Sequence, residues 1–501
     1  MTTLDATPQV RLATRRYSIE EVLLLAVVGY FLLLRLIQTS LGPPVLDEPY
    51  YWMWGQHPAL SYYDHPPFQG WVQWFSAQVF GHTTFAMRWT TWAALFAELW
   101  VFLRVAQRVA GDEWRVVFLR STAVFLAMPI YGLFTGFAFH DHLLVAFMML
   151  SGYFFIVFFA EVENGERGRF APLLAAALFL GLATLTKYNG AFAGVAAAGT
   201  ILIRPKLRRL LLDWRIYVAA AIAVGMQAPV LIWNWQHDFE SFRYQLGSRH
   251  GTTGFREFNI VGMKAAIGNA LLMASPFVVP IVVRFFWARG GNSIERVGRS
   301  FAVLMFWPCA LLLLYISNFS WIMVWWTITI YLLFLPFAGR YTRPITLGLH
   351  LLYGVIANTF ASISYSVVPI LLLFGIPPGM DTETVYGWPE IADRAAELRQ
   401  EYGASFIGMN YAQNASQLAY ALNEPRGVTA ITPQRNSFDE WFNPEWIGKN
   451  AIFIDQDNDN DQEWRDSFTR ITEIEPIDAK VWGHTIKTYR IYFAEGLIKM
   501  Q

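Results

Sequence analysis

One cysteine, Cys309, occurs in 501 residues, and it lies inside an apolar run. A disulfide framework and a cysteine-ligated metal centre within one chain are therefore excluded. Charge is also scarce: Asp, Glu, Lys and Arg make up 15% of the chain, where a soluble domain carries about a quarter. The 38 basic and 38 acidic residues cancel, and the basic ones fall in small groups at the ends of apolar runs. A nucleic-acid partner, which needs a basic face, is not expected. No phosphate-cradling glycine loop is visible. The lack of an internal repeat weighs against a transporter built from inverted halves. No small-residue cleavage site follows the first apolar run, which begins near Glu21, so that run reads as a membrane helix rather than a leader.

What is abundant is apolar and aromatic: 55% hydrophobic residues and 17% Phe, Trp and Tyr. Long uncharged runs alternate with short polar clusters, the pattern of membrane helices. The reading is an all-α polytopic membrane protein of about eleven spans. They cover 22–40, 84–107, 115–134, 140–160, 171–187, 189–203, 215–233, 260–286, 299–317, 321–338 and 345–375. Arginine and lysine cluster on every second loop, at Arg11, Arg15 and Arg16, then at Arg104, Arg108 and Arg115, and at Arg167 and Arg169. The series continues through Arg204, Lys206, Arg208, Arg209 and Arg215, then Arg284, Arg289, Arg296 and Arg299, and ends at Arg340 and Arg343. The positive-inside rule then puts the N-terminus in the cytoplasm and, for an odd span count, the C-terminal segment outside.

Three segments face outward on this reading: the loop 41–83, the loop 234–259 and the tail after Pro377. Residues 1–376 form the membrane domain and 377–501 a small extracytoplasmic α/β domain. In that tail GWPEIADRAAELRQEYG predicts an amphipathic helix ending in glycine, and GASFIGM and AIFID predict short buried strands.

The chemistry-bearing residues gather on the same side. The first loop reads LDEPYYWMWGQHPALSYYDHPPFQGWVQWF and holds Asp47, Glu48, Tyr62, Tyr63, Asp64 and His65. Asp47 and Glu48 follow the first span directly. A carboxylate in such a half-dry place is suited to accept a proton near neutral pH. Simple interfacial charges within an aromatic belt are the plain alternative, but the loop is too long for a mere connector. His140, Asp141 and His142 open the fourth span, where ionisable residues mark functional candidates. Asp141 also suits a helix N-terminus. The two histidines, two residues apart, point to different sides of a helix. A divalent metal on Asp47, Asp141 and His140 is an option under common ligand preferences, although no cofactor is required. Lys187, in LATLTKYNGAFAG, and Arg88 lie at outer span ends. They either snorkel or hold an anion, and two cations beside acidic sites suit a phosphate leaving group.

Taken together, Asp47-Glu48, YYDHPP at 62–67, Arg88, HDH at 140–142 and LTKY at 185–188 resemble a known family. They are similar to the bacterial family 39 glycosyltransferases, which include the protein O-mannosyltransferases and lipid A aminoarabinose transferases of the C-type fold. The likeness runs from about 22 to 240 and more loosely beyond. It implies a general base at Asp47 or Glu48 and a pocket shaped by Asp141. It also implies a donor-phosphate contact at Lys187, with Arg88, His65 and Tyr188 nearby. The aminoarabinose enzymes have Glu-Lys-Pro-Pro where this chain has Asp64-His65-Pro66-Pro67, so the phosphate clamp and donor sugar are expected to differ. SFRYQLGSRHG, with Arg243, Tyr244 and His250, resembles the family's outer loop over the donor. The implied activity is inverting transfer of a sugar from a polyprenyl phosphate to a hydroxyl of a lipid, glycan or protein. The implied location is the outer face of a bacterial inner membrane. A flippase for lipid-linked sugars and a non-catalytic assembly protein are the rival readings. A flippase should place ionisable groups near the midplane of several spans, where Glu98 is the main candidate.

Overall fold

The computed structural model describes residues 17–247, 258–376, 379–456 and 463–499. The first helix, α1 (Ile19–Leu41), starts at a capping box in which Ser18 Oγ accepts from Glu21 N–H and Glu21 Oε2 accepts from Ser18 N–H. Such a box satisfies two orphan amides of the first turn. Its 23 residues reach roughly 34 Å at 1.5 Å per residue, enough to cross hydrocarbon. The loop after it folds into two short helices, α2 (Glu48–Gln56) and α3 (Phe68–Phe80), before α4 (Thr84–Val109). Gly70 on α3 is required: a Cβ there would lie 2.5 Å from Tyr62 Oη. The central element is the helix His140–Glu163, apolar on all sides and 83% buried over its most apolar window, as expected for a helix ringed by others.

Four helices are long and apolar enough to span: Ile19–Leu41, His140–Glu163, Ser293–Ile316 and Pro344–Ser366. Three bent pairs raise this to seven if each is one span, and Phe170–Thr186 and Tyr188–Ile203 are shorter apolar helices. The expected third span is one of the bent pairs, turning by 85° between Gly111–Ala127 and Pro129–Gly136. Pro129 lacks the N–H that would carry the helix on. The expected tenth span, 321–338, is not a membrane helix at all. It holds a 3₁₀ stretch, Val324–Thr329, and a single turn, Leu335–Ala338, and residues 327–339 are buried throughout. Irregular backbone inside a membrane bundle is tolerated only where protein or a cavity surrounds it.

Among the described residues, arginines of these clusters gather at the end of the bundle where α1 begins, while Arg11, Arg15 and Arg16 lie outside the described residues. Arg120 pairs with Glu20 at 2.6 Å and Arg204 with Glu163 at 2.6 Å. Arg209 donates to the carbonyl of Val162 and Arg215 to those of Gly168 and Arg167. Arg340 donates to the carbonyl of Val109. Arg209 and Arg340 thereby close helix ends whose last carbonyls have no partner within the helix.

At the opposite end sits a five-stranded sheet in the order β2-β1-β3-β5-β4, formed by Phe406–Met409 (β1), Val428–Ala430 (β2), Ala451–Asp455 (β3), Phe468–Val481 (β4) and His484–Leu497 (β5). The helix foreseen in GWPEIADRAAELRQEYG runs Trp388–Glu401. The strands β1 and β3 lie in the two segments named from sequence. The long β4–β5 hairpin was not foreseen; it turns through Trp482 and Gly483, both at positive φ, as a two-residue primed turn requires. The strand β1 pairs in parallel with both β2 and β3, so the helix Ala412–Leu422 crosses over between β1 and β2. The sheet unit rests on the first loop: Gln417 Nε2 donates to Pro44 O at 3.0 Å and Trp54 Nε1 to Ser437 Oγ at 3.3 Å.

Candidate functional site: two cavities meeting at Asp47

Leu46 adopts φ 48°, a left-handed conformation that is an outlier for a bulky residue. The turn it makes sends the next two carboxylates to different places. Glu48 goes inward. It is fully buried and accepts from Val45 N–H at 2.9 Å, Ala138 N–H at 2.6 Å and both Nε and Nη2 of Arg88. Arg88 is 1% exposed, and its Nη1 and Nη2 also donate to the carbonyls of Gln38, Gly42 and Pro43. All five guanidinium protons are thereby engaged. In this arrangement Arg88, expected as a phosphate contact, has no N–H left for an anion, and Glu48, expected as a possible base, has no open lone pair. Together they lock the end of α1, α4 and the segment before His140 into one piece.

Asp47 goes outward. It is the N-cap residue of α2, yet its side chain makes no capping bond. Half-buried, it accepts from Gln413 Nε2 at 3.2 Å. Two cavities meet there. One, of about 210 Å³, is polar and lined by Asp47, Asp64, His65, Tyr244, Gln413 and Arg435 among others. The second, of about 970 Å³, is mainly apolar and takes in Trp321, Met323, Trp325 and Tyr365. Asp47, Tyr411 and Gln413 line both. The irregular segment that replaces the expected tenth span thus supplies the apolar wall of the larger cavity.

Three chain segments enclose the polar cleft. The first loop gives Asp47, Tyr50, Tyr51, Asp64 and His65. Tyr50 Oη donates to Asp64 Oδ2 at 2.5 Å and accepts from Ser437 N–H at 3.0 Å. Burial, reinforced by the Asp64 charge, pushes the Tyr50 phenol well above its ordinary value, so it stays a donor. The second segment is the helix Glu240–Leu246. Tyr244 of that helix packs on Tyr63 with ring centroids 4.7 Å apart, and Gln245 donates to the Asp64 carbonyl. The third is the sheet unit: Tyr411–Gln413 follow β1, and Thr432–Asn436 lie just past β2. The crevice beyond the carboxyl ends of parallel strands is where such sheets place ligands.

Behind the cleft stands a row of charged and ring groups. The His65 ring lies 4.3 Å from that of His140, His140 Nε2 is 3.5 Å from Asp141 Oδ2, and Lys187 Nζ donates to Asp141 Oδ1 at 2.9 Å. All four are buried. Lys187 and Asp141 therefore form a buried ion pair beneath His65 and do not line the cleft. Among the described residues no group of three or more His, Cys, Asp or Glu is placed to hold a metal. The Asp141 oxygens face Lys187 and His140, so Asp47, Asp141 and His140, expected as metal ligands, do not form such a group in this structure.

The remaining expected residues support rather than line the cleft. Both ring nitrogens of His142 are engaged, one with Thr90 Oγ1 at 2.9 Å and the other with the Phe139 carbonyl. Tyr62 is fully buried, stacks on Trp54 at 4.6 Å and donates to its carbonyl at 2.8 Å. Tyr188 Oη lies 3.1 Å from Ser241 Oγ and anchors the helix Glu240–Leu246. Arg243 is exposed on that helix and donates to the carbonyl of Asp238. His250 lies outside the described residues. Sequence reasoning missed the whole sheet contribution, including Arg435 and Gln413. It also missed Glu440, whose Oε1 is buried with no hydrogen-bond partner. Burial raises that carboxyl to about 7, against the lowering effect of His237 and Arg435.

Comparison with known proteins agrees with this architecture. A family model described as dolichyl-phosphate-mannose-protein mannosyltransferase matches residues 64–233. The lipid A galacturonosyltransferase RgtD of Rhizobium johnstonii is 26% identical over 400 residues, 76% of this chain and 78% of that one. The crystal structure of ArnT from Cupriavidus metallidurans bound to undecaprenyl phosphate superposes with a TM-score of 0.64 at 15% identity, covering 96% of this chain and 99% of that one. The chain is a glycosyltransferase with the C-type fold of ArnT. The lipopolysaccharide core galacturonosyltransferase RgtB from the same Rhizobium is 29% identical over 195 residues, 38% of this chain and 37% of RgtB. The apolar helices make the transferase a multi-pass membrane protein.

Proposed function

We propose that the transferase moves a sugar from a polyprenyl-phosphate donor in the polar cleft to a hydroxyl of a lipid or glycan acceptor that enters from the apolar cavity. The observation that carries this reading is the place of Asp47, Tyr411 and Gln413 on the wall common to both cavities. Asp47 takes the proton of the acceptor hydroxyl while that oxygen attacks the anomeric carbon. The bond from that carbon to the phosphate oxygen breaks, its electrons leave with the polyprenyl phosphate, and the anomeric centre inverts. Gln413, bonded to Asp47, keeps the carboxylate aimed at the junction. The cation at Lys187 lies behind His65 and offsets the negative charge that grows on the leaving phosphate. No metal or other cofactor takes part in this scheme.

The relatives RgtD and RgtB are named for transfer to lipid A and to lipopolysaccharide core, which supports an acceptor in the lipopolysaccharide class. The arginine-rich end is opposite the cleft, and the positive-inside rule puts that end in the cytoplasm. On this basis the cleft and the sheet unit lie at the outer face of the inner membrane. Transfer is preferred to transport because the side chains at the junction suit proton abstraction. The test is transfer of radiolabel from a purified polyprenyl-phosphate sugar to lipid A or core acceptors in detergent. Label appearing in the acceptor, with release of polyprenyl phosphate, is the expected result. Protein that moves the intact donor across vesicles without breaking it would overturn the reading.

A further inference from the structure

We infer that Arg435 reads the carboxylate of a hexuronic acid carried by the donor, and so sets the sugar specificity of the transferase. The inference rests on the donor reading above and names the sugar class. Among the described residues lining the polar cleft, Arg435 is the one Lys or Arg, and it shares that cleft with the carboxylates Asp47 and Asp64. An anionic sugar would be repelled by those two groups unless a cation met its charge. Arg435 is held where that cation is needed. Its guanidinium lies 5.7 Å over the Tyr63 ring, which in turn packs on Tyr244 of the cleft wall. Its Nη2 donates to Glu240 Oε2 at 2.6 Å.

Glu240 shows what this guanidinium binds: a carboxylate on the helix Glu240–Leu246, itself 30% exposed. The remaining N–H groups of the fork form no other hydrogen bond among the described residues, and a guanidinium fork matches a carboxylate in two parallel bonds. A donor carboxylate at C6 of the sugar takes these N–H groups, either beside Glu240 or in its place. A neutral hexose carries a hydroxymethyl group at that position and cannot form the charged pair. The galacturonosyltransferase relatives RgtD and RgtB agree with an acidic sugar.

The experiment compares two synthetic short-chain polyprenyl phosphates, one carrying galacturonic acid and the other galactose, with the full-length protein in detergent. The wild type should favour the galacturonosyl donor in kcat/KM by roughly 10–100-fold. In Arg435→Gln this ratio should fall toward one. In Glu240→Gln, which breaks the same ion pair but leaves the guanidinium, the preference should persist or grow. Equal losses for both donors in Arg435→Gln would show a phosphate contact instead and overturn the inference. Matching effects of Arg435→Gln and Glu240→Gln on both donors would show a purely structural latch, and would also overturn it. Wild-type transfer from galactose alone overturns the sugar assignment while sparing the proposed function. Transfer from neither donor to any lipid A or core acceptor overturns both.

Discussion

Asp47 and Glu48 are neighbours with opposite fates. Glu48 is fully buried and bound by three partners, whereas Asp47 is half-buried on the wall between two cavities. The lesson is that an acidic pair in sequence is not an acidic pair in space. The residue that binds most strongly is the one least able to do chemistry, because every lone-pair direction is already in use. The same contrast recurs among the cations. Arg88 has no proton left to offer, Lys187 is tied to Asp141 under the cleft, and Arg435 stands on the cleft wall.

The largest effect on folding should come from breaking the inner pair. Glu48→Gln leaves Arg88 charged in a site that is 1% exposed. Removing one partner of a buried ion pair costs about 3–5 kcal/mol, so yield and thermal stability in detergent should fall sharply. Unaltered melting with lost activity would return Glu48 to the list of catalytic candidates. Lys187→Met comes next. It leaves Asp141 buried with His140 but without its cation, so a loss somewhat below the same 3–5 kcal/mol range is expected. Adding Asp141→Asn should restore melting but not donor affinity; recovery of both would make Lys187 a purely structural residue.

The smallest effect is a pH slope. Glu440 titrates near 7 in the folded protein, above its ordinary value, mainly because it is buried. A raised carboxyl favours folding while protonated, so its contribution is fully present below about 4.5 and is lost as pH climbs toward 7. Glu440→Gln should flatten that part of the stability–pH curve. Identical slopes for variant and wild type would show that the group is better solvated than its burial implies.

Most of the helical scaffold was legible, because ten of the eleven windows are apolar runs that do contain helix. The tenth was misread because hydropathy reports burial, not backbone. Residues 327–339 are buried as deeply as a span but are only partly helical. The first-loop half of the site was visible in Asp47, Asp64 and His65, since charges beside aromatic runs are costly and stand out. Arg88 was visible too, but its role was not: its five acceptors, all within residues 38–48, meet it only after folding. The half from the sheet unit left no trace. Gln413 and Arg435 follow short strands in polar loops, where nothing in composition separates a cleft residue from a solvated one. The divergence of Asp47 from Glu48 depends on one backbone angle at Leu46, which sequence pattern does not encode.

The central claim is that Asp47 is the base at the junction of the two cavities. It is tested most directly by single-turnover transfer with saturating lipid donor in wild type and Asp47→Asn. The amide keeps size and can still pair with Gln413, while losing the proton-accepting charge. The rate should fall by about 10²–10⁴-fold, with melting and donor affinity little changed. A rate within a few-fold of wild type, in protein shown to be folded and donor-bound, would contradict the account and move the base to Asp64.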